Sequence, residues 1–153
     1  MTGRFGYRAG LGLACLAIAI SAPSKLYASH VLVTDVEAKL PPPKGATAMD
    51  RRGITRGPRI ELISDGDSAR SPIHLHLKFE AFGGSKIDTN SVKVTYIKNP
   101  TVDLTPRLKE FVQPTGIDMP DVQLPVGDHL IRVDLKDSDG RPGMTSFILK
   151  VEP

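Results

Sequence analysis

The chain has 153 residues with 20 Lys and Arg against 17 Asp and Glu, a formal charge of +3, one cysteine and no tryptophan. The length allows one domain. The excess charge lies wholly in the first 28 residues, which hold Arg4, Arg8 and Lys25 and no acid, so residues 29–153 carry 17 basic and 17 acidic groups. A balanced remainder gives no support for nucleic-acid binding, whose footprint is a basic excess.

Arg4 and Arg8 precede an apolar run from Ala9 to Ala22, and Leu26-Tyr27-Ala28 ends in a small residue. A charged start, a short apolar run and a small-residue site are the layout of a secretory signal peptide, with the cut placed after Ala28. The run is shorter than the roughly 20 residues a membrane-crossing helix needs, so no transmembrane segment is expected after cleavage. Cys15 lies inside the apolar run, too near its start for a lipid-attachment box, so the exported chain has no cysteine. The expected location is the bacterial periplasm or the medium. Stability there rests on an apolar core or a metal rather than on disulfides.

Residues 29–57 are expected to form a flexible arm or linker. His30 to Val36 can make one short strand. Beyond it come Pro41-Pro42-Pro43, Gly45, Gly53, Gly57 and the basic residues Arg51, Arg52 and Arg56, with few apolar residues and no periodicity.

The folded domain is expected over residues 58–153. Arg59–Ser64 reads as a short strand, followed by a turn at Asp65-Gly66-Asp67-Ser68. In Pro72–Ala81, Ile73, Leu75, Leu77 and Phe79 alternate with His74, His76, Lys78 and Glu80, the period of a half-buried strand. Gly83-Gly84 ends it. Ser91–Lys98 repeats the alternation, and Val102–Leu104 reads as a brief edge strand. Thr105-Pro106 predicts one short helix to Phe111. Gly116–Leu124 is extended. Leu124–Lys136 holds the strongest pattern, with Ile131, Val133 and Leu135 on one face. Asp137-Ser138-Asp139-Gly140 then turns into a closing strand, Met144–Val151. Short strands separated by turn residues, with almost no helix, predict an all-β antiparallel sandwich of about seven strands.

The run Ile87-Asp88, Ser91-Val92-Lys93-Val94, Leu124-Pro125-Val126-Gly127-Asp128-His129-Leu130-Ile131-Arg132-Val133 and Asp137-Ser138-Asp139-Gly140-Arg141 resembles the immunoglobulin-like domains of bacterial exported and surface proteins. The likeness covers residues 58–153. It implies an immunoglobulin-like sandwich of the cysteine-free kind and is nearly silent on activity, because that fold carries many roles.

Two kinds of site are open at this level. His74 and His76, two apart on one strand, put both imidazoles on one face, a spacing that can chelate copper or zinc. His30 is the candidate third ligand if the arm folds back, a placement similar to that in small periplasmic copper carriers. The same pair is equally an ordinary exposed strand face. Asp134, Asp137 and Asp139, with Asp65 and Asp67, have the residue type for calcium, but turns use Asp for backbone reasons as well. His129 is expected to flank a turn. There is no nucleophile elbow, phosphate loop or zinc-protease motif. The expected function is therefore non-enzymatic: an interaction module that binds another envelope protein or a polymer through an exposed edge, either the first strand or Met144–Val151. The alternative is a periplasmic copper or zinc binder.

Overall fold

The structure, a computed structural model, describes residues 29–43, 45, 57–64 and 69–153. The expected signal peptide, the basic part of the arm with Arg51, Arg52 and Arg56, and the turn from Asp65 to Ser68 lie outside the described residues.

The described chain is mostly strand. In order it forms β1 (His30–Val31), helix α1 (Asp35–Ala38), β2 (Arg59–Leu62), β3 (Ala69–Arg70), β4 (Ile73–Glu80), β5 (Ile87–Tyr96), β6 (Val102–Asp103) and helix α2 (Thr105–Leu108). A 3-10 turn (Lys109–Phe111) leads to β7 (Val112–Gln113), β8 (Gly116–Gln123), β9 (Gly127–Asp137) and β10 (Pro142–Glu152). One sheet runs β1-β8-β4-β2, with β7 also paired to β8. The other runs β3-β10-β9-β5-β6. The sheets are mixed rather than purely antiparallel, because β1 runs parallel to β8 and β3 parallel to β10. Both parallel pairs involve two-residue strands, too short for any sequence period to reveal.

The core follows from alternation. Ile73, Leu75, Leu77 and Phe79 of β4, with Ile117, Met119 and Val122 of β8, turn inward. They meet Val92, Val94 and Tyr96 of β5, Ile131, Val133 and Leu135 of β9, and Leu149 and Val151 of β10. On β8 the parity changes between Met119 and Val122. There His74 stands opposite two residues, Pro120 and Asp121, and Asp121 has φ of 52°. This is a β-bulge, one extra residue that bends the strand and re-aims its neighbours.

The first part of the expected arm is not a linker. Leu32 and Val33 are 0 % and 1 % exposed and belong to the core. The Leu32 N–H donates to the Gln123 carbonyl, extending the β1–β8 contact. Thr34 and Glu37 cap the four-residue α1 reciprocally: the Thr34 hydroxyl oxygen accepts from the Glu37 N–H, and the Glu37 carboxylate accepts from the Thr34 N–H. So short a helix does not stand alone in water. Arg107 of α2 holds it, making two hydrogen bonds to Glu37 at 2.7 and 2.8 Å and one to the Leu32 carbonyl at 2.6 Å. Lys98 donates to the Ala38 carbonyl, and the Asn99 N–H to that of Pro41. Residues 29–43 are thus a strap laid across the sandwich. The sparse apolar content of the stretch concealed it, because two consecutive buried side chains suffice to dock it.

Candidate functional site

β4 sets His74 and His76 on the outer face of the first sheet, their rings 6.0 Å apart and 13° from parallel. Asp118 of β8 stands directly opposite His76, and its carboxylate bonds the His74 Nε2. That bond holds the Asp118 carboxyl below its usual range. Both side chains are more than half exposed, so water screens the pair and it adds little stability. Asp118 was not singled out from the sequence. Register alone brings it here, from 44 residues away.

His30 does not join them. It pairs with Val122, whose side chain is inward, and its ring meets Phe111 edge-on at 4.9 Å. Among the described residues no group of three or more His, Cys, Asp or Glu side chains is placed to hold a metal ion.

The aspartates of the hairpin are spent on the hairpin. Asp137 is buried. Its Oδ1 accepts from the N–H of Asp139 and of Arg141, and its Oδ2 from the Arg141 guanidinium at 2.8 Å and the Ser85 hydroxyl at 3.2 Å. Burial by itself pushes this carboxyl up. The Arg141 N–H and guanidinium and the Ser85 hydroxyl outweigh it and hold the group below the usual carboxylate range. Asp139 pairs with Arg141 as well, and Asp134 with Arg132. These carboxylates face cations of their own chain instead of converging as a calcium cage requires.

His129, expected to flank a turn, stands beside it and is buried there. It is 1 % exposed, with both ring nitrogens used. Nε2 lies 2.7 Å from the Pro125 carbonyl and Nδ1 3.1 Å from the Tyr96 hydroxyl. A carbonyl can only accept, so Nε2 carries the proton and Nδ1 accepts from Tyr96. The ring bolts the β8–β9 corner to β5. A signal for this was present in the sequence: His129 and Asp137 have the parity of Ile131, Val133 and Leu135, and therefore turn inward.

The feature that remains open is the edge of β10. In the β9–β10 ladder the Asp137 N–H donates to the Arg141 carbonyl, and the register runs on with Lys136 opposite Pro142. Antiparallel ladders alternate, so odd residues of β10 bond β9 while even residues point their N–H and C=O away from it. The Ile97 N–H donating to the Leu130 carbonyl on the far side of β9 fits the same phase. β3 pairs only at Val151 and Glu152. At the other end the Gly57 backbone lies so close to the Pro142 carbonyl that a Cβ on Gly57 would sit 2.0 Å from its oxygen. Between these stops, Met144, Ser146 and Ile148 face outward without a strand partner among the described residues. Met144 is 60 % and Ile148 49 % exposed, and Gly143–Leu149 contains no charge. The first strand, the other expected edge, offers only the four residues of β2.

Beside the β3 end of this slot opens a cleft of about 220 Å³ lined by Ser64, Arg70, Ile73, His74, Leu149 and Lys150, among others. Among the described residues no helix is long and apolar enough to cross a membrane. Fold and surface define a two-sheet, mostly β domain in which the middle of the β10 edge has no strand partner among the described residues. No protein-family model, no curated protein and no solved structure matches the chain.

Proposed function

We propose that this chain is an exported bacterial domain of the immunoglobulin-like class, without catalytic activity, which binds another envelope protein by strand addition at β10. The observation that carries the reading is the slot from Met144 to Ile148. It combines backbone groups without a strand partner among the described residues with exposed apolar side chains, where natural edges are blunted by charge, proline or cover. Pro142 and Lys150 stand at its two ends. A segment of about five residues fits between β3 and Gly57, which limits the partner to a short extended stretch.

Strand order supports the immunoglobulin-like class. The two sheets follow β2-β4-β8 and β3-β10-β9-β5-β6, the chain changes sheet between β2 and β3, and β3 lies parallel to the last strand. The His129 bond to Pro125 sits at the strand entrance where such domains use a tyrosine tied back to the backbone. Export rests on Arg4, Arg8, the apolar run from Ala9 to Ala22 and the small residue Ala28. The cut leaves the docking strap whole, because β1 opens at His30.

The test is a photo-crosslinking residue at position 148 in the producing bacterium, with and without Ser146→Pro. Proline removes an outward N–H and no β9 bond. Crosslinks to an envelope protein that vanish with Ser146→Pro are expected. Crosslinks insensitive to it, or turnover of ester, phosphate or glycoside substrates by the purified chain, overturn the proposal. N-terminal sequencing of the periplasmic fraction is expected to start at Ser29.

A further inference from the structure

Strand addition at β10 makes no use of His74 and His76. They stand on the other sheet, so a ligand there needs nothing from the β10 edge. β4 runs between β8 and β2 and is hydrogen-bonded on both sides. The two histidine Cβ positions are therefore fixed by the sheet, and only side-chain rotations are left free. The ring centres are 6.0 Å apart. A metal–nitrogen bond of about 2.0–2.1 Å places an ion about 3.2 Å from the centre of each imidazole it binds, so one ion reaches rings whose centres are up to about 6.4 Å apart. The pair lies within that reach. The rings are 13° from parallel, and closing on an ion takes rotation of the side chains with no movement of β4.

Asp118 decides which nitrogen of His74 is available. The bond to His74 holds its carboxyl below the usual range, so it is ionised at neutral pH and can only accept. Nε2 of His74 therefore carries the proton and Nδ1 keeps its lone pair. A carboxylate on the far nitrogen of a ligating imidazole fixes the tautomer and the ring orientation and makes the ring a better base. Asp118 also stands opposite His76 in register, which sets its negative charge beside both rings. Lys78, the next outward residue of β4, has Glu61 opposite it.

Among the described residues no third ligating side chain converges with the two histidines, so water fills the remaining positions on a bound ion. Structural zinc takes four protein ligands and catalytic zinc three. Two imidazoles with open positions suit Cu(II) instead, which stands highest in the divalent series and accepts a tetragonal shell of nitrogen and oxygen. We infer that His74 and His76 chelate one Cu(II) ion on the outer face of the first sheet, with Asp118 as the positioning residue that holds His74 in its binding tautomer. With two protein donors and an exposed rim, the site exchanges its ion with solvent and does not hold the fold together.

Cu(II) is titrated by calorimetry into the exported chain carrying His30→Gln, which takes the histidine nearest the amino terminus out of the count. One ion per chain is expected, with an electron paramagnetic resonance spectrum showing two imidazole nitrogens, and Zn(II) is expected to bind more weakly. His74→Gln and His76→Gln each leave one imidazole and are expected to weaken copper binding about tenfold or more, because the second donor no longer acts at high effective concentration. Asp118→Asn is expected to weaken it about tenfold while the spectrum still shows two imidazoles. His74 and Asp118 are exposed and His76 is half-buried, so the variants keep the fold, and an unchanged circular dichroism melt confirms it. Copper binding that both histidine variants retain at full strength is an adventitious ion only and overturns the site, as does a spectrum with a single imidazole. Unchanged affinity in Asp118→Asn overturns its positioning role.

Discussion

Replacing Leu32 by Ala tests whether the strap is part of the fold. Leu32 is fully buried, its N–H donates to Gln123 and its carbonyl accepts from Arg107. Truncation keeps both backbone bonds and removes only packing. Core Leu→Ala changes cost about 2–5 kcal/mol, and a domain of this size is stable by about 5–15 kcal/mol in all. The loss is therefore a large part of the total, and at about 4–8 °C per kcal/mol it lowers Tm by roughly 8–40 °C. Urea unfolding followed by circular dichroism measures it. Tyr96, the one tyrosine after residue 28 and itself buried, gives a second, local signal. In a solvated linker the same change costs within about 0.5 kcal/mol. A loss that small refutes the docked strap, and with it the inclusion of residues 29–43 in the domain.

Three further outcomes are expected. The Glu37 carboxyl is lowered to about 2, chiefly by its hydrogen bonds to Arg107, so its contribution is complete above the ordinary carboxylate range near 4.5 and is lost as pH falls through about 2. Glu37→Gln should lower stability at pH 7 and flatten that part of the acid limb, read from urea midpoints between pH 5 and pH 2; an unchanged slope contradicts the Arg107 contact. In β10, Ser146→Pro should leave the fold nearly intact. Thr145→Pro breaks a bond to Val133 and costs about 1–3 kcal/mol for the stranded carbonyl alone, and equal effects at the two positions would reverse the assigned phase of the ladder. His129→Leu strands the Pro125 carbonyl and the Tyr96 hydroxyl and should cost about 2–5 kcal/mol, whereas Tyr96→Phe strands only the His129 Nδ1 and costs about 1–3 kcal/mol, both by urea titration.

The central strands were legible because each is half-buried. Alternation in β4 and β9 placed Ile73 to Phe79 and Ile131 to Leu135 inward and set His74 and His76 on the surface, and the structure keeps all of these faces. The closing hairpin was legible for a related reason, since Asp and Gly carry turn geometry locally. Parity also held information that went unused: carried one step either way along β9, it buries His129 and Asp137. The strap was not legible. A two-residue strand, a four-residue helix and two adjacent buried side chains have no period, and their stability comes from Gln123, Arg107 and Lys98, which are distant in sequence.

The functional surface divides the same way. Sequence alone determined which residues of β10 could be exposed, because Met144, Ser146 and Ile148 share one parity, and it marked the closing strand as a candidate edge. Only the tertiary structure decided that this edge is a short slot, since the pairing of β3 and the close approach of Gly57 close its two ends. Tertiary structure also decided that His30 faces away from His74 and His76, and that Asp118 meets His74. Period is a property of a single strand, whereas neighbours across a sheet are chosen by register and by the packing of one sheet on the other.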